Sequence, residues 1–396
     1  MTHAQDLGPV KTRSVLVVSL VLALAASYQV GHSQTREAFD AAGSRNSLRV
    51  QFQAAGAQTP PPALPLPHYH HIHLNSVNPD QSLEWYANYW PTGKKTTVAG
   101  FPAFQASDLA LLYTKVVRQA PGAFDKTLHR SVPQSAFWTF GSGVVDTVAF
   151  VARLTTIDPR RYAFLPVFSS PDDKTGVIRS ALAPQGDQLL TVSQLRERAE
   201  REKTAPSGPR PGNQDFGYLV DPDGMLVEFN SAQQDHFWSH NHFWHEQPLC
   251  AANWYAEHLG MQLPPVRDPK SGEMVAHERW DPCDVPIGEV GYPSFMPQGQ
   301  LRIPIGNVRF ANGSWAAYTR QCRSGRCGSG NDKPLAPSRG QVVDHVGLTF
   351  PDLTAVMARL KATKVPIVRG PYPFGDTRAI MIEDPDGLGL ELIEMK

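Results

Sequence analysis

The sequence predicts an α+β protein built as a tandem duplication, and three observations predict it. Landmarks recur in one order. His71-Ile72-His73-Leu74 leads to Trp85-Tyr86 at the same offset at which His240-Asn241-His242-Phe243 leads to Trp254-Tyr255, and Pro79 and Pro248 each follow their first His by 8 positions. Asp221-Pro222-Asp223-Gly224 is followed by Glu228, and Asp384-Pro385-Asp386-Gly387 by Glu391, with identical spacing. Between these landmarks a strand, an amphipathic helix and several antiparallel strands recur about four times. Hydrophobic residues at 41% and aromatics at 9% supply enough apolar material for packed cores.

Residues 1–33 read as an export signal: Lys11 and Arg13 precede the apolar run Val15–Ala26, with small residues and a polar change after it. That run is about 12 residues long, short of the ~20 that span a bilayer as a helix; an uncleaved amino-terminal anchor is the alternative. Residues 34–67 are polar and then proline-rich, a linker of polyproline character that takes a share of the 35 prolines. The duplicated halves then run over 68–235 and 236–396. Strands are expected at 71–77, 137–140, 216–220 and 345–350, and helices at 80–90, 145–155, 249–259 and 352–363. The Asp-Pro-Asp-Gly segments read as hairpin tips. A calcium loop would need a further Asp before the Gly and a longer gap to the Glu. Arg196–Lys203 alternates in sign and reads as a solvated helix.

Lys+Arg and Asp+Glu are 37 each, so formal net charge is zero and no basic excess draws the chain to nucleic acid or an anionic membrane. Cys250, Cys283, Cys322 and Cys327 form an even set suited to disulfides in an exported chain, with Cys250–Cys283 and Cys322–Cys327 the favoured pairs. A zinc site is the rival, and Cys-x4-Cys without a second close pair argues weakly for it. No serine-nucleophile elbow or phosphate-cradling Gly loop is present.

The opening His strand, the Trp-Tyr helix end and the closing Asp-Pro-Asp-Gly-x-x-x-Glu hairpin resemble the vicinal oxygen chelate superfamily, which includes glyoxalase I, bleomycin- and fosfomycin-resistance proteins and type I extradiol dioxygenases. The resemblance spans roughly residues 68–396. It implies four βαβββ modules, two per half, each pair enclosing a cleft with metal ligands on first and last strands. Carried onto this sequence, it makes His240, His345 and Glu391 the ligand set of the second half, with His71 and Glu228 matching in the first. Thr139 falls where His345 falls, so the first half reads as a degenerate copy unless His73 or His129 supplies a ligand. Two imidazoles and a carboxylate suit Fe2+, Mn2+ or Zn2+. His242, His245 and Tyr318 are the candidates for proton transfer or second-layer roles, with His236 a further nearby imidazole.

The resemblance therefore implies a metal-dependent lyase, isomerase or dioxygenase acting on a small oxygen-bearing molecule. Met381 stands where the dioxygenases carry a Tyr before the closing Asp-Pro. A non-catalytic binding protein of the bleomycin-resistance kind is the rival, and a scaffold with vestigial sites a third reading. Taken singly, a strand histidine is as often a hydrogen-bonded core residue as a ligand; Trp85, Tyr86, Trp254 and Tyr255 read as packing anchors.

Overall fold

Tyr69, Ile72 and Leu74 are buried in strand β1 (His68–Ser76) of the structure, a computed structural model. It describes residues 63–126, 130–165, 177–180, 188–191, 215–232, 234–268, 270–284, 288–290, 301–303, 306–319 and 334–395, all within one unit, Pro60–Lys396. After β1 come α1 (Pro79–Tyr89), β2 (Lys94–Val98), β3 (Phe101–Ala106) and β4 (Leu109–Lys115). A short ribbon, β5 (Phe124–Asp125) and β6 (Arg130–Ser131), leads to the second group. That group is β7 (Phe137–Val144), α2 (Thr147–Ile157), β8 (Val177–Ser180), β9 (Gln188–Thr191), β10 (Asp215–Val220) and β11 (Leu226–Ser231).

The third group opens with β12 (His236–His245) and α3 (Pro248–Leu259) and closes with β17 (Gly306–Phe310) and β18 (Gly313–Thr319). Two ribbons lie between them, β13 (Val266–Arg267) with β14 (Met274–Val275) and β15 (Gly288–Val290) with β16 (Leu301–Ile303). The fourth is β19 (Val343–Phe350), α4 (Leu353–Ala362), β20 (Arg369–Phe374), β21 (Thr377–Glu383) and β22 (Gly389–Glu394).

The helices start where the sequence places them. Asp146 and Asp352 accept hydrogen bonds from backbone amides of their first turns, at 2.9 Å from Ala149 and 2.8 Å from Thr354. Pro79 and Pro248 occupy first-turn positions, where a missing N–H costs nothing. Gly260, at φ 72°, ends α3 in the left-handed conformation that glycine adopts without strain.

Two eight-stranded mixed sheets result, with orders β2-β3-β4-β1-β19-β22-β21-β20 and β17-β18-β12-β7-β11-β10-β8-β9. In each, two opening strands pair antiparallel at the centre, β1 with β19 and β7 with β12. Each is flanked in parallel by the closing strand of its own group. This corrects the expected pairing within halves: the first group shares a sheet with the fourth, and the second with the third. Connection length explains the choice. Only residues 232–235 separate β11 from β12, which keeps those groups in one sheet, whereas 116–136 and 320–342 can carry the chain from one sheet to the other.

The halves are nonetheless tied, through the Asp-Pro-Asp-Gly turns. Asp221 Oδ1 accepts from the amides of Asp223 and Met225 at 3.0 and 2.8 Å, and its Oδ2 accepts from the Tyr86 hydroxyl at 3.0 Å. Asp384 repeats this with the amides of Asp386 and Leu388 (2.9 and 2.8 Å) and the Tyr255 hydroxyl (2.5 Å). Each first Asp closes its own turn and grips the helix of the preceding group, joining one sheet to the other. Trp85, Tyr86 and Tyr255 are buried, so the packing reading of the Trp-Tyr pairs holds for them, with the tyrosine hydroxyls adding a polar clasp.

At the second clasp buried His245 adds a partner, its Nδ1 lying 2.8 Å from Asp386 Oδ2 and 3.7 Å from Asp384 Oδ2. Burial pulls its pKa down, but the Asp386 hydrogen bond and the charges of Asp384, Asp386 and Glu246 together outweigh burial and raise it.

Leu64 and Leu66, at the end of the proline-rich stretch, pack against the core. Cys250 and Cys283 are joined by a disulfide. Residues 1–62, His129, the 196–203 run, Cys322 and Cys327 lie outside the described residues.

Two outcomes are expected. Tyr86→Phe and Tyr255→Phe each lower the free energy of unfolding in urea by about 1–3 kcal/mol at unchanged m-value, because each strands a buried carboxylate oxygen; a midpoint equal to wild type would contradict the clasp. The raised His245 pKa contributes stability that is full below the ordinary histidine value of about 6.5 and is lost as pH rises through the folded value. The stability gap between wild type and His245→Gln therefore narrows as pH rises above about 6.5; a gap that widens refutes the assignment.

Candidate metal centres

The central antiparallel pair of the first sheet brings His73 opposite His345 in register, while His71 and Glu391 both register with Gly347. His71, His73, His345 and Glu391 are all buried. One nitrogen from each of His71, His73 and His345 lies within 4.8 Å of the others, and Glu391 Oε2 lies 3.4 Å from His71 Nε2 and 3.7 Å from His345 Nε2. The other side of each group is taken. His71 Nδ1 shares a hydrogen bond with His70 Nδ1 (2.9 Å), His73 Nε2 with Thr114 Oγ1 (2.8 Å) and His345 Nδ1 with Asp344 Oδ1 (2.6 Å). The Tyr372 hydroxyl donates to Glu391 Oε1 at 2.6 Å.

What remains is four inward-facing atoms, His71 Nε2, His73 Nδ1, His345 Nε2 and Glu391 Oε2, each buried without a hydrogen-bond partner. Leaving such an atom unsatisfied costs about 1–3 kcal/mol, and four facing one another have an obvious common partner in a cation. Metal–ligand bonds of about 2.0–2.2 Å set neighbouring donors about 3–3.5 Å apart, close to the 3.4 and 3.7 Å that separate Glu391 Oε2 from His71 Nε2 and His345 Nε2. The residues present therefore fit a divalent metal, with outer partners holding each imidazole in one orientation.

The charge states of His71, His73 and Glu391 agree. Burial, together with neighbouring imidazoles, holds His71 and His73 far below the ordinary histidine value, so both are neutral and have a lone pair to offer. Burial also presses His345 down, but Asp344 and Glu391 reverse this and raise it. Burial raises Glu391, and His345, Tyr372 and His73 more than compensate, leaving it ionised.

The second sheet repeats the layout with a gap. His240 and Glu228 register with Gly141, and His242 stands opposite Thr139. His240 Nε2 is 3.4 Å from Glu228 Oε1, and His242 Nδ1 is 3.4 Å from Glu228 Oε2. Burial drives His242 down to about 3 and so keeps it neutral. Thr139, in the place of His345, donates its hydroxyl to the Leu226 carbonyl at 3.0 Å, leaving three donors here against four in the first sheet.

The expected ligand set of His240, His345 and Glu391 is thus divided between two clusters, as is the pair His71 and Glu228, because each cluster forms across the sheet pairing and not within a half. His73 joins the first cluster as a ligand candidate. His242, expected in an outer role, stands among the ligand candidates of the second. His245 is engaged by the Asp386 turn. Tyr318 registers with Trp244 in β18, and its side chain lies outside the described residues.

Sequence reasoning passed over Asp344, Thr114 and Tyr372. It also passed over two glycines. A Cβ on Gly347 would stand 2.2 Å from the His71 ring, and one on Gly141 2.4 Å from the His240 ring. Bare backbone at these positions lets each imidazole lie across the neighbouring strand. The signal was available: Thr139-x-Gly141 and His345-x-Gly347 share a spacing.

A cavity of about 580 Å³ opens onto the first cluster. Buried His73, His345 and Glu391 line it with Phe101, Phe374 and Met381.

Residues 250–392 match the family model of the Glyoxalase/Bleomycin resistance protein/Dioxygenase superfamily. Among solved structures, glyoxalase I from Zea mays is 12% identical, with 83% of this chain and 92% of that chain covered and a TM-score of 0.47. Lactoylglutathione lyase from Agrobacterium tumefaciens is 14% identical over 39% of this chain and 91% of that chain, with a TM-score of 0.23. At such identities and scores neither likeness bears on activity. A search of curated proteins finds no match. On its own sequence, the carboxy-terminal region of this chain, residues 250–392, belongs to the Glyoxalase/Bleomycin resistance protein/Dioxygenase superfamily.

Proposed function

We propose that the chain is a metal-dependent enzyme acting on a small oxygen-bearing molecule, with its centre at His71, His73, His345 and Glu391. The observation that carries this is the set of four buried, unpartnered donor atoms facing one another beside a cavity. Fe2+, Mn2+ and Zn2+ suit three imidazoles and a carboxylate. Bound there, such an ion supplies Lewis acidity toward two neighbouring oxygens of the substrate.

The chain's own residues do the rest. Asp344, Thr114 and His70 fix the imidazole orientations. Tyr372 holds its proton, because burial and the Glu391 charge raise its pKa, and its hydroxyl pins Oε1 so that Oε2 faces inward. Phe101, Phe374 and Met381 keep water from one side of the substrate.

The recurrence of strand–helix–strands groups in both sheets supports a duplicated four-module origin, two groups having acquired extra strands. Thr139 in place of His345 supports the second cluster as the weaker, derived copy. Export is proposed from residues 1–33, supported by the Cys250–Cys283 disulfide, a bond that persists in oxidising compartments. Among the described residues no helix is long and apolar enough to cross a membrane.

Metal analysis of purified protein separates the clusters. Wild type carries about one tightly held equivalent, which Glu391→Ala loses and Glu228→Ala keeps; a folded, metal-free wild type sinks the proposal. For export, mass spectrometry of protein recovered outside the cytoplasm should find an amino terminus near residue 34, and full-length chain retained inside would refute it.

A further inference from the structure

Two guanidiniums share the cavity with the first cluster. Arg339 and Arg369 line it, both exposed, with the carboxylates Asp344 and Glu391 deeper. With Glu383, which pairs with Arg339, two guanidiniums face three carboxylates, so a divalent ion at the cluster leaves this side of the cavity with a net positive charge of one. The carboxylates are already committed. Asp344 accepts from the Gly340 amide at 2.6 Å and holds His345 at 2.6 Å, and Glu391 accepts from Tyr372.

The guanidiniums are less committed. Arg339 makes one exposed ion pair, Nη1 to Glu383 Oε1 at 3.3 Å, of a kind worth little in water. Arg369 has no carboxylate within ion-pair reach among the described residues; its Cζ lies 4.7 Å from the centre of the Tyr372 ring. Through that ring it stands one side chain from Glu391. Both guanidiniums also act on the Tyr372 hydroxyl, opposing the rise that burial causes.

Resting on the metal-centre reading above, we infer that the substrate is an anion: a flat apolar body carrying paired oxygens at one end and a carboxylate at the other. The oxygens face His73, His345 and Glu391, the body lies along Phe101, Phe374 and Met381, and the carboxylate meets Arg369 and Arg339. Arg369 is the specificity-determining residue, since a planar guanidinium held over an aromatic ring offers two parallel donors to a carboxylate.

The test uses the full chain loaded with Zn2+ and two probes, catechol and 3,4-dihydroxybenzoate, which differ only in the carboxylate. Calorimetry should show wild type binding the carboxylate probe roughly tenfold tighter. Arg369→Gln should bring the two within about twofold by weakening the carboxylate probe more than catechol, and Arg369→Lys should restore part of the preference. Equal binding of both probes by wild type overturns the anion assignment and leaves the metal centre standing. A loss in Arg369→Gln that falls equally on both probes also overturns it, because Arg369 would then be acting on the cluster. Zinc-loaded wild type that binds neither probe overturns the chelating centre and this inference together.

Discussion

The antiparallel pairing of β1 with β19 is the contact on which the rest depends. It joins the first of the described strands to the opening strand of the last group, sets His73 opposite His345, and puts Glu391 across Gly347 from His71. A strand's side chains alternate between faces, so a slip of one residue would turn these groups away from one another. The register is held by what surrounds it: Ile72, Leu74, Val346 and Leu348 are fully buried, and a slip of one residue would turn one strand's apolar side chains out of the core. The centre is thus a by-product of hydrophobic patterning, with the polar atoms carried into place by their apolar neighbours.

A second constraint runs at right angles to the first. The two Tyr–Asp clasps join groups that are consecutive in sequence, whereas the sheets join groups that are not. Each sheet is therefore fastened to the other by helices and turns, and no group can shift without straining both kinds of contact. Where the second clasp includes His245, the first has Ser82 donating to Asp223 at 2.6 Å, so the two clasps share their geometry and differ in chemistry.

Much of this was legible in the chain itself. The four helices to within two residues at their starts, the Asp-Pro-Asp-Gly turns, the Cys250–Cys283 bridge and the histidine and glutamate ligand candidates could be read from spacing and chemistry. Partner choice could not. His71 and His240 each begin a His-x-His in their strands, and strands of like pattern carry no label saying which partner they take; the short 232–235 link and two long ones decide it, a matter of reach and not of motif. Tyr372 was invisible for a related reason. It comes from β20, two strands from Glu391's own, and only sheet order puts it beside the carboxylate. Gly347 and Gly141 were visible but mute, since a glycine in a strand has many uses until one sees the ring lying over it.

The division of the chain between its two sheets has a consequence for its biosynthesis. The first sheet takes strands from both ends of the folded region and the second from the middle, so during synthesis the inner sheet can close while the outer one waits. Residues 68–115 must remain half-partnered until 343–394 emerge, an arrangement of high contact order that folds slowly and exposes an open edge meanwhile. Glu391 lies on the last strand to arrive. The four donors of the first cluster, His71, His73, His345 and Glu391, therefore cannot come together around a partly made chain.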